Sequence, residues 1–502
     1  MIDNTIIYPV VAQLVTAIIL LFFWGKSYPQ RFISILGSLV VLLMSITLFS
    51  KVWSGNILIM ESANWKPPFG IVFVADVFSS TMVLITSIVA FAVSIYSSVG
   101  IGNARQRFGY FPLFHFLMMG LNGAFLTGDI FNLYVFFEVI IISSFVLMTL
   151  GGRKTQLEGA VKYMAMNILA STIFLTGIGI LYGITGTLNM ADLAVKVPLV
   201  ENRNIIDITA IFFLVGFGIK SAVFPLYYWL PSSYHTPPSA VAAVFGGLLT
   251  KVGVYAILRI FTLIFVPNEF MKIVLTVLSV MTIISGGFGA LIKRDVRRIF
   301  SYLIVCHIGF MIGGIALFTP IALSGVLFYL IHDILVKTNI FLISGLIRNM
   351  KGNLNTLKAG GLYARYPKIS LVMALVFFSL VGVPPLSGFW PKIYLFEAGF
   401  TTHNYFFIAA LIIGSFLTLY IMARLWSDVF WKNPSEGDDS LIDHFKDYSR
   451  WKQALLVIPI CLLAIATLYV GLAAENIVVV VKHIAAEMID TSPYIDAVLG
   501  NK

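Results

Sequence analysis

Long unbroken apolar stretches recur along the whole chain, and they leave a narrow choice of fold. A membrane-spanning helix needs about 20 mostly apolar residues. Fourteen stretches meet this requirement: 5–24, 31–50, 74–98, 110–127, 129–150, 159–184, 205–229, 238–263, 271–292, 298–317, 320–348, 369–399, 404–431 and 453–474. We therefore predict an all-α polytopic membrane protein with about 14 transmembrane helices.

The composition excludes several classes of function. Of 502 residues, 59% are hydrophobic and 11% are charged, against about 25% charged in soluble domains, so a soluble enzyme is excluded. Two distant cysteines cannot build a cysteine-ligated metal site. The net charge of +10 comes without a basic patch interleaved with aromatics, so we expect no nucleic-acid partner. Neither a P-loop nor a dinucleotide-binding motif occurs, and we expect no metal and no cofactor.

The distribution of lysine and arginine predicts the orientation. Odd-numbered loops hold 21 basic residues, whereas even-numbered loops and the C-terminal tail hold 8. Basic loops stay on the cytoplasmic side, so both termini are expected outside a bacterial plasma membrane. Polar and apolar residues alternate enough in 51–68 to form an outer hairpin. Residues 432–452 are typical of a solvated inner loop. The tail after about residue 475 is typical of an interfacial helix.

Two predicted helices are interrupted in similar ways, each beside a buried lysine. The segments are GFGIKSAVFPLYYWLP (216–231) and GVPPLSGFWPK (382–392). The interrupting residues are Pro225 in the first and Pro384, Pro385 and Gly388 in the second. Broken helices at matching positions of two halves indicate an inverted repeat, although prolines are also common in ordinary membrane helices.

The repeat predicts a division of the chain. Helices 4–8 and 9–13 would be the two five-helix repeats, with helices 7 and 12 broken. The expected units are 1–108 (helices 1–3), 109–263 (first repeat), 264–431 (second repeat) and 432–502 (inner loop, helix 14 and tail).

Charged side chains stand inside the predicted spans, where each costs from about 2.5 to more than 10 kcal/mol. They are Glu138, Lys220, Lys251, Asp333, Lys337 and Lys392, with His332 beside them. Burial penalises a charged amine, so such a lysine can gain and lose a proton near neutral pH. Four lysines on helices 7, 8, 11 and 12 are therefore difficult to explain as packing alone.

The acids would act as counter-charges. Glu138 is the only acid deep within the first repeat, so we expect it to pair with Lys220, either as a switch or as a static buried pair. Asp333 and Lys337 are four residues apart and share a helix face. His332 is either a proton relay or a satisfied interior histidine. His115 and His307 are expected to be mostly structural.

Four motifs carry a resemblance to a known family. They are GDIFNLYVFFE (128–138), KSAVFPLYYWLPSSYHTPPSAVAAVFGGLLTKVGVY (220–255), HDILVKTNIFLISG (332–345) and GVPPLSGFWPK (382–392). Together they resemble the antiporter-like proton-translocating family, which includes the large membrane-arm subunits of respiratory complex I and the two large subunits of Mrp cation/proton antiporters. FNLYVFFE and PPLSGFWPK most resemble the D-type branch.

The resemblance implies roles for individual residues. Glu138 would be the ion-pair switch with Lys220, and Lys251 would pass protons along a central axis. His332 and Lys337 would continue that axis, and Lys392 would be its terminal residue. Family members often have a histidine four residues before the helix-11 lysine. Asp333 occupies that position here, so the relay could be His332 or Asp333.

The resemblance also implies a function. As part of a multisubunit Na+/H+ antiporter, the chain would carry protons and drive Na+ export together with an A-type subunit and several small membrane subunits. It is a transporter subunit rather than an enzyme. The alternatives are a proton-pumping subunit of a redox-driven complex and a scaffold for another antiporter subunit. No oxygen-rich sodium cage is visible in the sequence, and hard cations prefer oxygen ligands.

Overall fold

The computed structural model describes residues 3–55, 57–433 and 443–500, and these are mostly helical. Residues 434–442 of the predicted inner loop lie outside that description. The first part of the described chain contains α1 (Tyr8–Phe22), α2 (Ser27–Trp53), β1 (Leu58–Glu61), β2 (Val72–Ala75), α3 (Val77–Gly100), α4 (Asn103–Arg107), α5 (Tyr110–Leu126), α6 (Ile130–Thr149), α7 (Lys154–Thr185), α8 (Met190–Lys196), α9 (Arg203–Ser221), α10 (Trp229–Ser233), α11 (Ser239–Val244) and α12 (Thr250–Leu263).

The second part of the described chain is also mostly helical. It contains α13 (Glu269–Ile292), α14 (Val296–Leu317), α15 (Pro320–Lys351), α16 (Leu362–Arg365), α17 (Pro367–Val381), α18 (Phe389–Thr401), α19 (Tyr405–Trp426), α20 (His444–Asp447), α21 (Arg450–Leu472), α22 (Ala474–Ile489) and α23 (Ser492–Leu499). Two π-helical turns, Phe245–Leu249 and Ser427–Trp431, extend α11 and α19.

The described part of the chain contains 12 helices that are long and apolar enough to cross a membrane. Two shorter apolar helices are α5, which coincides with the predicted fourth span, and α17, which covers the first part of the predicted twelfth span. The chain is thus an all-α, multi-span membrane protein. The count of 14 and the boundaries of the four predicted units stay predictions, although the boundaries fall between helices or at their ends.

Both ends of the described chain lie beside a small hairpin. Strands β1 and β2 pair antiparallel, with Leu58 opposite Ala75. The Asp3 amide donates to the Ile59 carbonyl at 2.9 Å, and α23 also contacts β1. The predicted hairpin of 51–68 contains β1 but not β2, because the fully buried strand Val72–Ala75 is as apolar as the helix that follows it.

Three long helical segments form the centre of the molecule. The most apolar stretches of α15 and of Ser239–Leu263 are 100% buried, and that of α14 is 94% buried. The corresponding stretch of α2 is only 33% buried, because most of its apolar surface faces outward. Side chains at the middle of α12, α14 and α15 are therefore enclosed by protein on all sides.

The two broken helices end in the same local structure. The first half of each, α9 and α17, is followed by a residue in the left-handed conformation, Ala222 with φ 61° and Gly382 with φ 89°. In both helices, the amide of the following residue donates to the carbonyl five residues before it: Val223 to Gly218 at 2.9 Å and Val383 to Phe378 at 3.1 Å. This pattern is a Schellman motif, and its recurrence favours the predicted repeat.

A second feature recurs at a fixed spacing. Asp129 caps the N-terminus of α6 and forms a β-bridge with Asn189. Asp295 caps α14 and forms the same kind of bridge with Asn355. These helices are the second of each predicted repeat. The inverted repeat stays a prediction that both recurrences favour.

Candidate functional site

A carboxylate at the centre of the molecule lies among three basic groups. Asp333 on α15 is 0% exposed. Its Oδ2 lies 2.8 Å from Lys251 Nζ of α12, while Oδ1 lies 3.2 Å from His307 Nδ1 of α14 and 3.9 Å from Lys337 Nζ. All four side chains are fully buried. Asp333 is therefore a counter-charge shared between groups from three helices.

Lys251 donates a hydrogen bond to a backbone carbonyl in the distorted helical turn before it. The π-helical turn Phe245–Leu249 ends two residues before this lysine. Lys251 Nζ donates to the Gly246 carbonyl at 2.7 Å in addition to its ion pair with Asp333. Single π-helical turns occur frequently at functional sites. Here the turn places a lysine and a carbonyl oxygen together in the protein interior.

Lys337 is less well compensated than Lys251. Its Nζ has no hydrogen-bond partner within the described chain, and its distance to Asp333 is that of a loose ion pair. The sequence predicts the Asp333–Lys337 pair from their spacing along one helix. The structure contains that pair but brings Lys251 of another helix closer.

His332, next to Asp333 in the chain, contacts residues of the second broken helix. Its Nδ1 lies 2.7 Å from Ser387 Oγ, which in turn lies 2.7 Å from Ser379 Oγ. Its Nε2 is buried and without a hydrogen-bond partner among the described residues. A Cβ on Gly388 would lie 2.1 Å from the Ser379 carbonyl and 2.9 Å from the His332 ring, so only glycine allows this close approach.

Lys392 is placed at the break of the second helix, where the sequence predicts it. It is 6% exposed, and its Nζ donates to the Val381 carbonyl at 2.7 Å. Val381 is the last residue of α17, so the ammonium lies at the negative end of a helix dipole. The same Nζ lies 5.7 Å from the centre of the Phe310 ring.

Glu138 and Lys220 do not form an ion pair in this structure. Lys220 is 6% exposed, in the last turn of α9. Its Nζ lies over the Phe137 ring, 4.6 Å from the ring centre. Glu138 Oε1 is buried and has no hydrogen-bond partner in the described ranges. Glu138 and Lys220, which the sequence predicts as a pair, thus lie near each other without an ion pair. Lys220 instead contacts the ring of Phe137, the residue before Glu138 in the chain.

His307 lies at the centre of the site, although the sequence suggests a mostly structural role for it. The structure puts it at the Asp333 carboxylate, with its other ring nitrogen 3.5 Å from Thr418 Oγ1 of α19. An intramembrane ionisable residue is a functional candidate by default. The same burial argument that selects the lysines would therefore select His307.

His115 differs from His307 in its surroundings. Its Nε2 lies 2.9 Å from Ser34 Oγ and its Nδ1 lies 2.5 Å from Gln13 Oε1. Both ring nitrogens are therefore satisfied by neutral groups of α1 and α2. This geometry agrees with a packing role.

Tyr329 connects the two histidines of the central region. Its ring centre lies 5.7 Å from that of His307 and 5.7 Å from that of His332, in edge-on geometry with both. Its hydroxyl is buried without a partner among the residues that the structure describes. The central cluster, defined as Lys251, His307, Asp333 and Lys337, is thereby linked to His332. No group of three or more His, Cys, Asp or Glu residues suited to a metal ion occurs in the described ranges.

Several known proteins are similar to this chain. The family model described as "NADH:quinone oxidoreductase/Mrp antiporter, TM" matches residues 127–418. The D-type subunit of the Na(+)/H(+) antiporter of Alkalihalophilus pseudofirmus is 40% identical over 498 residues, and its counterpart in Bacillus subtilis is 38% identical over 498 residues. The match covers 99% of this chain and 99% of each relative.

Two solved structures share the fold. A chain of the Mrp complex from Dietzia sp. matches with a TM-score of 0.90 and 29% identity, over 99% of both chains. A chain of an archaeal membrane-bound sulfane sulfur reductase matches with a TM-score of 0.89 and 24% identity, over 99% of this chain and 100% of that one; this second likeness shows the fold alone. The family match spans more than half of the chain, and the chain belongs to the NADH:quinone oxidoreductase/Mrp antiporter transmembrane family.

Proposed function

We propose that this chain is the D-type subunit of a multisubunit Na+/H+ antiporter in a bacterial plasma membrane, and that it carries the protons. Whole-length similarity to two D-type antiporter subunits supports the assignment. Its partners would be an A-type subunit, several small membrane subunits and the surrounding lipid. Both termini would face outside, as the loop charges predict.

The observation that carries the proton role is the shared Asp333 carboxylate. One carboxylate can neutralise one ammonium, but two lysines compete for it at 2.8 and 3.9 Å. A fully buried, uncompensated charge is costly. The arrangement with one charged and one neutral lysine is therefore favoured, and proton transfer between them exchanges their roles.

The present geometry favours Lys251 as the charged lysine. Its Nζ forms an ion pair with the carboxylate at 2.8 Å and donates a hydrogen bond to the Gly246 carbonyl. Lys337 Nζ has no hydrogen-bond acceptor within the described chain. Lys251 would thus hold the proton in this state, and Lys337 would be the neutral amine that accepts the next one.

The path would continue through groups that can both give and take a proton. His332, Ser387 and Ser379 form a chain of contacts of 2.7 Å each toward the break where Lys392 lies. Buried polar atoms without protein partners in the described chain, such as Tyr329 Oη and His332 Nε2, are sites that internal water hydrates. In this interpretation both His332 and Asp333 take part, the first as relay and the second as counter-charge.

Glu138 and Lys220 would act as a gate for the first repeat. Lys220 over the Phe137 ring is held by a cation–π contact, which is weaker than a hydrogen-bonded ion pair in a dry site. Rotation of either side chain would form the pair and hold the proton on Lys220. The open pair of this structure then corresponds to the state that releases the proton.

Sodium is expected to cross elsewhere in the complex. The central cluster offers one carboxylate and two lysine amines, whereas sodium, a hard cation, prefers several oxygen ligands. With one lysine charged and the other neutral, the cluster carries no net charge and does not attract a cation. The alternative of a redox-driven pump has less support: the family description includes NADH:quinone oxidoreductase, but the archaeal reductase chain is only 24% identical and shows the fold alone.

The test is Na+-driven pH change in inverted vesicles that carry the full complex, measured without any electron donor. Glu138→Gln keeps the volume and removes the charge, so exchange should be abolished while the amount of complex stays normal. Glu269→Gln is the matched control, because Glu269 is 85% exposed at a helix end. Exchange that requires a reductant would support the redox-driven alternative, and normal exchange with Glu138→Gln would contradict the gate.

A further inference from the structure

One buried arginine of this chain has no acidic partner among the described residues. Arg297, in the first turn of α14, is 3% exposed. Its guanidinium donates to the Pro237 carbonyl at 2.9 Å, to Ser344 Oγ at 3.1 Å and to Ser239 Oγ. All three acceptors are neutral, and no carboxylate of the described chain forms an ion pair with it. A buried charge in that position is normally paired.

The chain shows elsewhere how it compensates a buried arginine. Arg259 is 9% exposed and binds Asp76 with both terminal nitrogens, Nη1 to Oδ2 at 2.6 Å and Nη2 to Oδ1 at 2.8 Å. That bidentate pair satisfies the guanidinium within the protein. Asp295 acts on Arg297 through space, but Arg297 has no such bound partner, so a bound counter-charge would come from outside the described chain.

A cleft of about 170 Å³ opens at Arg297. A single water needs only about 10–15 Å³ of such space, so the cleft has room for a larger group. Four arginines and no acidic residue line it; they are Arg105, Arg153, Arg297 and Arg348. All four belong to odd-numbered loops or the adjoining helix ends, so the cleft opens on the predicted inner face.

The arginines repel one another in the absence of an anion. Burial and the like charges of Arg153 and Arg348 lower the pKa of Arg105. Arg153 and Arg348 are exposed and make no ion pair with any residue that the structure describes. Like charges held together on folded protein are destabilising, so this grouping costs stability unless an anion offsets it.

A neutral side chain of the cleft also has unused hydrogen-bonding capacity. Gln156 is 1% exposed and lines the cleft. Its side chain makes no hydrogen bond within the described ranges, and its Oε1 is buried without a partner. The amide group can donate two hydrogen bonds into the cleft.

We propose that this cleft binds a phosphate-class anion, either the headgroup phosphate of an anionic phospholipid or free phosphate. Guanidinium groups match the geometry of phosphate oxygens and bind them in pairs. The anion would neutralise the buried Arg297 and bridge Arg153, beside α7, to Arg348 of α15. It would thus fix the inner ends of helices from both predicted repeats. This site is separate from the proton path and does not rest on the proposed function.

The experiment measures binding to the purified full complex, with no need for ion exchange. In the first arm, the complex in neutral detergent is stripped of anionic lipid and titrated with radiolabelled inorganic phosphate at constant ionic strength. In the second arm, phosphatidylglycerol that copurifies with the complex is counted by mass spectrometry. The variant is Arg153→Gln with Arg348→Gln, whose side chains are exposed. Arg107→Gln is the control, since Arg107 is exposed on α4 and lies outside the cleft.

The expected result is a loss of binding in the double variant and none in the control. Phosphate binding that weakens at least tenfold identifies a site open to free phosphate. Loss of one bound phosphatidylglycerol without phosphate binding identifies a headgroup site. If the double variant does not assemble, Arg348→Gln alone is measured in the same way. The proposal is overturned if wild-type complex binds neither probe, or if cleft and control variants behave alike.

Discussion

Replacement of Asp333 by asparagine tests the central cluster most directly. The change keeps the side-chain volume and removes the carboxylate that the structure places between Lys251 and Lys337. At an effective dielectric constant of 20, a carboxylate 2.8 Å from an ammonium contributes about 6 kcal/mol, and one at 3.9 Å about 4 kcal/mol. Asp333→Asn removes both contributions at once.

The lost electrostatic energy destabilises the charged form of the two lysines and affects folding only indirectly. A neutral amine is tolerated in an apolar interior far better than an unpaired ammonium, so both lysines become neutral and the complex still assembles. Since each 1.36 kcal/mol is about a factor of ten, the charged form of Lys251 becomes rarer by about four powers of ten. Exchange is therefore expected to fall below about 1% of wild type.

The assay is Na+-driven pH change in inverted vesicles, normalised to the amount of complex in the same membranes. Asp333→Glu keeps the charge and should retain partial exchange. Asp447→Asn is the control, because the side chain of Asp447 is 72% exposed. Wild-type exchange by Asp333→Asn at a normal level of complex would refute the shared-carboxylate reasoning, and a missing complex would show a structural ion pair instead.

Three further predictions concern Lys220, Ser387 and Glu487. Lys220→Arg should assemble but not exchange, because arginine keeps its proton at any working pH; the vesicle assay checks this. Ser387→Ala removes the partner of His332 Nδ1 at 2.7 Å, so exchange should slow severalfold without loss of complex, whereas an unchanged rate would exclude Ser387 from the path. Burial, reinforced by Asp76, raises the pKa of Glu487 on α22 to about 7 from an ordinary value of 4.5. The folded state therefore holds a proton that the unfolded state releases, and stability falls as pH rises from about 4.5 to about 7. Glu487→Gln should flatten the pH dependence of stability, measured by thermal unfolding. Arg259 and His483, which also face the side chain at position 487, are unchanged in this variant.

Burial of the selected charges can be predicted from the sequence, because its physical cause is local. An apolar run longer than a helix turn on both sides of a lysine leaves no route to water. Lys251, Asp333 and Lys337 are 0% exposed, and Lys220 and Lys392 are each 6% exposed. The same reasoning locates the two helix breaks, since proline interrupts a helix by removing a hydrogen bond and crowding the preceding turn.

The pairing of those charges cannot be predicted in the same way, because it depends on packing between helices. Sequence spacing reveals only neighbours on one helix, so it assigns Asp333 to Lys337 four residues away. The closer partner, Lys251, lies on α12, and the π-helical turn before it sets the direction of its side chain. Burial alone would mark His307 as a candidate, but its contact with Asp333 escapes sequence reasoning for the same cause, since that contact joins α14 to α15.

The ion pair between Lys251 and Asp333 also bears on how the two predicted repeats act together. Lys251 lies in 109–263 and Asp333 lies in 264–431, so their 2.8 Å contact crosses the predicted boundary. In the proposed mechanism, a proton that arrives on Lys251 from the first predicted repeat would be stabilised by a carboxylate of the second. A turn of Asp333 toward Lys337 would remove the counter-charge of Lys251, which would then give up its proton. The shared carboxylate would thus make proton movement in one predicted half depend on the state of the other.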